Sequence, residues 1–443
     1  MKTPIVDFVR EYEKNNSARL HMPGHKGRAV LGCESADITE IVGADSLYYA
    51  CGIIAESEKN ASQLFDCPTF FSTEGSTQCI KAMLHLVCLE AVKTGKKPLI
   101  AAPRNAHKAF ICAAALIDFD VLWIECKDSY LSASIDAEWL DGWLKSLEYK
   151  PTALYITSPD YLGNVADIEN ISKVCHKHGV FLCVDNAHGA YLHFLEKSLH
   201  PIALGADICC DSAHKTLPVL TGGAYLHISK NAPKDFVTNA KSALALFGST
   251  SPSYLILQSL DAANKYLDEK FGDELALAVK RAKRLREELE ACGYTFVGDE
   301  DIKLTVLPKK YGYTGTELLD ILDNENISCE FADRDFLVIM ISPKNTEAEL
   351  ERFKNVLVAL QRRAEINENT PALPKAERVM SIREAVFLPK ERISVKKAIG
   401  RVLASFSVSC PPAVSVLMCG ENIDTDAIRC FEYYGITEID VVR

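Results

Sequence analysis

Residues 211–224 read DSAHKTLPVLTGGA. Lys215 stands there after an apolar, strand-like run and before a Gly-Gly pair, among Ser212, His214, Thr216 and Thr221. Burying a lysine costs free energy, because its charge loses water. A lysine that is partly desolvated and near other cations can act as a nucleophile and form a Schiff base with a carbonyl. Read alone, a strand-end lysine equally fits a salt bridge or a side chain snorkelling to solvent.

Three further stretches carry chemistry of a matching kind. In FLCVDNAHGAY (181–191), Asp185 ends an apolar run. An unpaired carboxylate there would be costly, so a cationic partner is expected: a protonated pyridine nitrogen, a metal or a lysine. The short side chain of Ala187 leaves room for a flat ring, and His188 follows it. In FFSTEGSTQCIKAML (70–84), Gly75, Ser76 and Thr77 open a helical pattern. Free N–H groups and hydroxyls at a helix start can hold an anion such as phosphate; for this stretch alone, a plain Ser/Thr cap is the simpler reading. In RNAHKAF (104–110), His107 lies between a strand and a helix and could stack on a planar cofactor, although a helix-start histidine without a role explains it as well.

Together the four stretches match what pyridoxal phosphate requires: a lysine for the aldehyde, a carboxylate for the ring nitrogen, a phosphate cup and an aromatic lid. The common nucleotide and nucleophile signatures GxGxxG, GxxxxGK[ST] and GxSxG do not occur in the chain. His176 and His178, in CHKHG, fall on a polar helix end and read as a solvated face, so no metal site is expected.

These residues need a frame. From residue 98 onward, short apolar runs alternate with helical patterns: KPLIAAP, DVLWIEC, TALYITSP, VFLCVDNAH, ADICCDSAH and GAYLHIS as strands, with HKAFICAAALI and IENISKVCHKHG as helices. Nearly continuous apolar strands with intervening helices predict an α/β fold with a mostly parallel sheet buried on both faces. Ligands of such sheets bind beyond the carboxyl ends of the strands. Asp185, His188, Ser212 and Lys215 all fall just after strand-like runs. Residues 273–292 place Leu275, Ala278, Ala282, Leu285 and Leu289 at helical spacing, with Gly293 as the stop. Strands flanking TGTELLDILDN and a helix over 346–363 complete a smaller α+β unit, and EINENTPALPKA (365–376) reads as a linker. The expected division is an N-terminal arm and dimerisation segment (1–66), a large cofactor domain (67–272), a small domain (273–364), the linker and a C-terminal domain (377–443).

Bulk properties narrow the class. The chain has 443 residues, 48% hydrophobic and 25% charged, with a net charge of -11. That is ordinary globular composition, and the acidic balance argues against a general nucleic-acid binder. No apolar run approaches the length of a membrane span. The first residues, MKTPIVDFVREYEKNNS, lack a signal-peptide core. Sixteen cysteines are scattered without a CxxC pair, which suits buried free thiols in a reducing compartment. A cytoplasmic location is expected.

The motif set closely resembles the bacterial Orn/Lys/Arg decarboxylases, pyridoxal-phosphate enzymes of the aspartate-aminotransferase fold (fold type I). HMPGHKGR (21–28), DITEIVGADSLYYACGIIAESEKNASQLF (37–65), FFSTEGSTQ, RNAHKA, TSPDYLGNVADI, VDNAHGAY, DSAHKTLP, GSTSPSYLILQSLD (248–261) and LPKERISVKKAIGRV follow that family's order nearly end to end. The resemblance implies that Lys215 is the Schiff-base lysine, Asp185 the partner of the pyridine nitrogen and His107 the stacking residue. Gly75, Ser76, Thr77 and Ser212 would hold the phosphate. His214 would contact the phosphate or assist proton transfer, and His188 would lie near ring or substrate. Ser249, Thr250 and Ser251 would reach the phosphate of a partner subunit across a homodimer. The implied reaction is α-decarboxylation of arginine, lysine or ornithine to agmatine, cadaverine or putrescine, a step of polyamine metabolism.

The chain departs from the family pattern in places. Asn186 stands where an acid is usual and Tyr191 where a histidine is frequent. In CPPAVSVLMCGENI (410–423), Cys410, Ala413, Ser415 and Cys419 replace a tyrosine, a glycine and two prolines, whereas Glu421 is kept. Another lyase of the same fold, of aldolase or desulfurase type, and a cofactor-binding protein with little catalysis are the alternative readings.

Overall fold

A computed structural model describes residues 1–126, 129–368, 370–406 and 414–443. Cys410 and Ala413, named above, lie outside the described residues. The chain divides into two compact units. One comprises Met1–Ile100, Ala137–Ile156 and Ile168–Gly272; the other comprises Ala101–Asp136, Thr157–Asp167 and Asp273–Arg443.

Seven strands form the main sheet: β1 (Thr69–Ser72), β2 (Leu99–Pro103), β3 (Asp120–Ile124), β4 (Ala153–Thr157), β5 (Phe181–Asp185), β6 (Ile208–Asp211) and β7 (Ala224–Ile228). Their order is β1-β7-β6-β5-β4-β2-β3, and the sheet is mostly parallel. The apolar runs dictate this. All of β6 and β7 is buried, and β5 is buried from Leu182 to Asp185. Cys183 pairs with Ile208 and Asp185 with Cys210 in the parallel β5–β6 ladder. β7 runs antiparallel to both β6 and β1, a reversal that periodicity alone does not reveal.

Helices cover the sheet. The Gly75–Lys93 helix buries Cys79, Ile80, Met83, Leu84, Leu86 and Val87 and packs on β6 and β7. It starts at Gly75 with φ +71°, a left-handed conformation that glycine adopts without cost. The Gly75 N–H donates to the Gly222 carbonyl at 2.8 Å. Gly222 has φ +99°, and a Cβ there would sit 2.9 Å from the Thr73 carbonyl oxygen. Two glycines therefore let the β1 end and the turn before β7 meet backbone to backbone.

At the N-terminus, the Pro4–Lys14 helix is held through its first turn. Asp261 Oδ2 accepts the Ile5 and Val6 N–H groups at 2.9 and 3.0 Å, and Ser57 donates to its Oδ1 at 2.6 Å. These donors occupy the carboxylate, but burial dominates and pushes the Asp261 carboxyl up to about 6.

In the second unit, the four-stranded sheet orders β10 (Phe331–Ala332), β11 (Leu337–Met340), β9 (Lys303–Val306) and β8 (Phe296–Val297). The Gly272–Ala291 helix buries Leu275, Ala278, Ala282, Leu285 and Leu289, the stripe expected from spacing, and Gly293 follows it with φ +95°. A two-stranded ladder, β12 (Lys390–Ser394) with β13 (Glu438–Val442), supports a core of Val395, Leu403, Ile423, Phe431 and Val441.

Among the described residues, no helix is long and apolar enough to cross a membrane. None of the fifteen described cysteines is disulfide-bonded, and only Cys33, Cys51 and Cys292 are exposed.

Candidate active site

The strand ends of the first unit carry the chemistry. Asp185 closes β5 with 2% of its surface exposed. Its Oδ2 accepts the Tyr155 hydroxyl at 2.8 Å, and its Oδ1 accepts the Ala187 N–H at 3.2 Å. Burial pushes the Asp185 carboxyl above its ordinary range; the Tyr155 hydroxyl, the Lys215 charge and the Ala187 N–H pull the other way. An ionised Asp185 therefore gains from a further cation at its open side.

Lys215 follows β6 on a single helical turn, Ala213–Thr216. Its Nζ lies 3.0 Å from His188 Nε2. His188 is buried, whereas Lys215 itself is exposed, so the desolvation expected for this lysine is not found. The neighbouring Thr216 hydroxyl is buried without a hydrogen-bond partner.

A third group sits where the Gly75–Lys93 helix begins. The Ser212 hydroxyl donates to Ser76 Oγ at 2.7 Å, joining the β6 end to the first helical turn. No side chain caps this helix at Glu74, and the Gly75 N–H is taken by the Gly222 carbonyl; the Ser76 and Thr77 hydroxyls stand in its first turn. Neither hydroxyl caps the helix, contrary to the plain-cap reading of this stretch. His214 points into the Gly222–Gly223 turn, with Nδ1 3.0 Å from the Gly223 carbonyl. The carbonyl can only accept, so this bond places a ring hydrogen on Nδ1.

Two of the anticipated groups make contacts of their own. Ser249, Thr250 and Ser251 form an exposed turn of the first unit, where the Ser251 N–H donates to Ser249 Oγ at 3.1 Å. His107 belongs to the second unit. It caps the Lys108–Ile117 helix, its Nδ1 accepting the Ala109 N–H at 3.2 Å, and its backbone bridges to Val414. His176 and His178 engage Asp207 and Asp141 on the first unit, as a polar helix end would.

Glu421 does not face solvent. Its two oxygens take Arg104 Nη1 and Nη2 at 2.6 and 2.7 Å, and its Oε2 also accepts the Met418 N–H at 2.8 Å. Both side chains are buried within the second unit.

Sequence reasoning missed three residues. Tyr155 was hidden in an apolar strand pattern, and only its pairing with Asp185 gives it a role. Asp211, the last residue of β6, is wholly buried; its Oδ1 accepts Asn186 Nδ2 at 2.6 Å and its Oδ2 lies 3.2 and 3.1 Å from His200 and His227 Nε2. Burial opposes its charge, but His200 and His227 outweigh it and hold the carboxyl well below the usual range. Asn186 was singled out only as a departure from a family pattern. His200, Cys209 and Asp211 each bring a ligand atom within 4.8 Å of the others. The imidazole nitrogens already face the carboxylate, and hydrogen bonding accounts for the grouping.

The mostly parallel sheet, with Asp185, Lys215 and the start of the Gly75–Lys93 helix at its strand ends, is the frame of the fold-type-I pyridoxal-phosphate enzymes. Comparison with known proteins sharpens this. Residues 3–303 match the model of the Orn/Lys/Arg decarboxylase major domain. The arginine decarboxylase of Bacillus subtilis is 29% identical, covering 96% of this chain and 92% of that protein. That of Halalkalibacterium halodurans is 28% identical, covering 95% and 91%. Among solved structures, the Francisella novicida lysine decarboxylase superposes with a TM-score of 0.81 at 16% identity, over 100% of this chain and 81% of that one. The chain belongs to the Orn/Lys/Arg decarboxylase family, whose members are pyridoxal-phosphate-dependent carboxy-lyases.

Proposed function

We propose that this protein binds pyridoxal phosphate through Lys215 and removes the α-carboxylate of a basic amino acid, arginine, lysine or ornithine. The observation that carries the reading is the buried Asp185, braced by Tyr155 and acted on by the Lys215 charge, with Lys215 Nζ 3.0 Å from His188 Nε2.

The residues present fit the cofactor. Asp185 would face the ring nitrogen, Ala187 would lie against the ring, and Gly75, Ser76, Thr77 and Ser212 would hold the phosphate. Thr216, buried with an unused hydroxyl, stands next to the lysine. When bound, pyridoxal phosphate supplies a cationic conjugated ring that accepts the electron pair released as the Cα–carboxylate bond breaks. Asp185 keeps that positive charge in place. His188 sits where it can exchange a proton with the Lys215 amine, and His214 can do the same or bind the phosphate. By family pattern, His107 would stack on the ring. The products would be carbon dioxide and agmatine, cadaverine or putrescine, which places the protein in polyamine metabolism.

The same reading includes a cytoplasmic homodimer with a shared site, and the five-part division of the chain set out from its sequence. The N-terminal arm leaves Leu20, Met22, Val30, Leu31 and Val42 at 70–101% exposure, a cost that a second subunit would relieve. The exposed Ser249–Ser251 turn would then serve the partner's phosphate. Free thiols throughout suit a reducing compartment.

Incubation of the cofactor-loaded protein with arginine, lysine and ornithine in turn should release carbon dioxide and the matching amine from at least one. Release from none of the three would overturn the reading.

A further inference from the structure

The strand ends that carry Asp185 and Lys215 are tied together by a pair of buried side chains. Asn186 follows Asp185 directly and is wholly buried. Its backbone N–H donates to the Cys210 carbonyl at 3.0 Å, and its Nδ2 donates to Asp211 Oδ1 at 2.6 Å. Asp211 precedes Ser212, whose hydroxyl reaches Ser76, and lies four residues before Lys215. The other oxygen of Asp211 is taken by His200 and His227. His227 is anchored in turn by Thr69, whose hydroxyl lies 2.9 Å from its Nδ1.

Every donor in this group has a direction. Asp211 takes an N–H from Asn186 on one side and faces two imidazoles on the other. An acid at 186 would set two fully buried carboxylates 2.6 Å apart, which only a shared proton could relieve. An amide at 186 therefore goes with an acid at 211. The polarity can also be inverted. With an acid at 186 and an amide at 211, the amide oxygen would face His200 and His227 while its N–H₂ donated to the new carboxylate. The hydrogen-bond count and net charge would be unchanged.

We propose that Asn186 and Asp211 are a positioning pair for the decarboxylation proposed above: their bond holds the loop of Asp185, Ala187 and His188 in register with the turn of Ser212 and Lys215. The pair is complementary, so its two members can be exchanged but not varied singly. This explains why Asn186 departs from the acid usual in the family.

The test is a charge exchange in the full chain, comparing wild type, Asn186→Asp, Asp211→Asn and the double variant. Three readouts are taken: kcat and KM of the cofactor-loaded protein, the visible band of lysine-linked cofactor, and the urea midpoint of the cofactor-free chain. Asn186→Asp should lower kcat by roughly tenfold or more and weaken the visible band, with KM changed much less. The double variant should recover most of both. A kcat for Asn186→Asp within about twofold of wild type, or a double variant no better than that single one, would overturn the proposal. The inference rests on the decarboxylase reading, and the two fail differently. If the wild type neither binds cofactor through a lysine nor turns over any basic amino acid, the function is wrong. The urea midpoints then decide the pairing: a drop in Asn186→Asp that the double variant reverses supports it, and equal midpoints overturn it.

Discussion

The Tyr155 hydroxyl donates to Asp185 Oδ2 at 2.8 Å inside the main sheet, joining β4 to the carboxylate that closes β5. A hydrogen bond to a charged group contributes about 1.5–3 kcal/mol. Tyr155→Phe should therefore lower kcat by roughly one to two orders of magnitude while the fold survives. Asp185→Asn, which removes the charge itself, should cost more, on the order of a thousandfold. Steady-state kinetics on both variants checks the ranking. A Tyr155→Phe protein slower than Asp185→Asn would mean that the tyrosine acts in its own right.

Lys215→Ala should abolish turnover while the Ser76, Thr77 and Ser212 cluster still binds the cofactor, now reversibly. Borohydride treatment and peptide mapping of the wild type should place the label on Lys215. Label on another lysine, or normal turnover in the variant, would show that the nucleophile has been misassigned.

Asp261 predicts a dependence on pH. Its carboxyl is pushed up to about 6 by burial, so the native chain holds that proton more tightly than the unfolded chain does. The associated stabilisation is complete below about pH 4 and is lost as pH rises through about 6. It amounts to on the order of 2 kcal/mol. Asp261→Asn keeps an oxygen for the Ile5 and Val6 N–H groups and removes the titration. The difference in unfolding free energy, wild type minus variant, should fall by about 2 kcal/mol between pH 4 and pH 7 in urea titrations. A flat difference would place the carboxyl at its ordinary value.

Arg104 and Glu421 form a buried, two-bond ion pair, and removing one partner strands the other charge away from water. Arg104→Ala should lower unfolding stability by about 3–5 kcal/mol, whereas exposed pairs such as Arg392–Glu438 should contribute less than about 1 kcal/mol. Denaturant titration of the two single variants, Arg104→Ala and Arg392→Ala, distinguishes these cases. The saturated carboxylate of Glu421 also speaks against a direct substrate contact from that residue.

Much of this was legible in the sequence, because a charged residue stands out at the end of a strand that is otherwise apolar. Asp185, Ser212 and Lys215 interrupt apolar runs, and those interruptions are the strand ends. The 273–292 helix announced itself by its spacing. What stayed hidden was pairing across space. Nothing local to TALYITSP says that Tyr155 will meet Asp185, and nothing in VDNAHG says that Asn186 will meet Asp211. Arg104 and Glu421 lie 317 residues apart and look like two ordinary surface charges. The direction of β7 was equally silent, since an apolar strand reads the same forwards and backwards. The exposure of Lys215 was not foreseen either, because spacing along the chain does not report how a strand-end side chain is covered.

The scattered thiols give the molecule a stopwatch. Burial pushes Cys67, Cys79, Cys88 and Cys175 up to about 12, so in the native chain they are both shielded and unreactive. A coloured disulfide reagent would meet Cys33, Cys51 and Cys292 at once and the interior sulfurs only as the chain opens. The slow phase of that colour change would time the breathing of the main sheet without any added label.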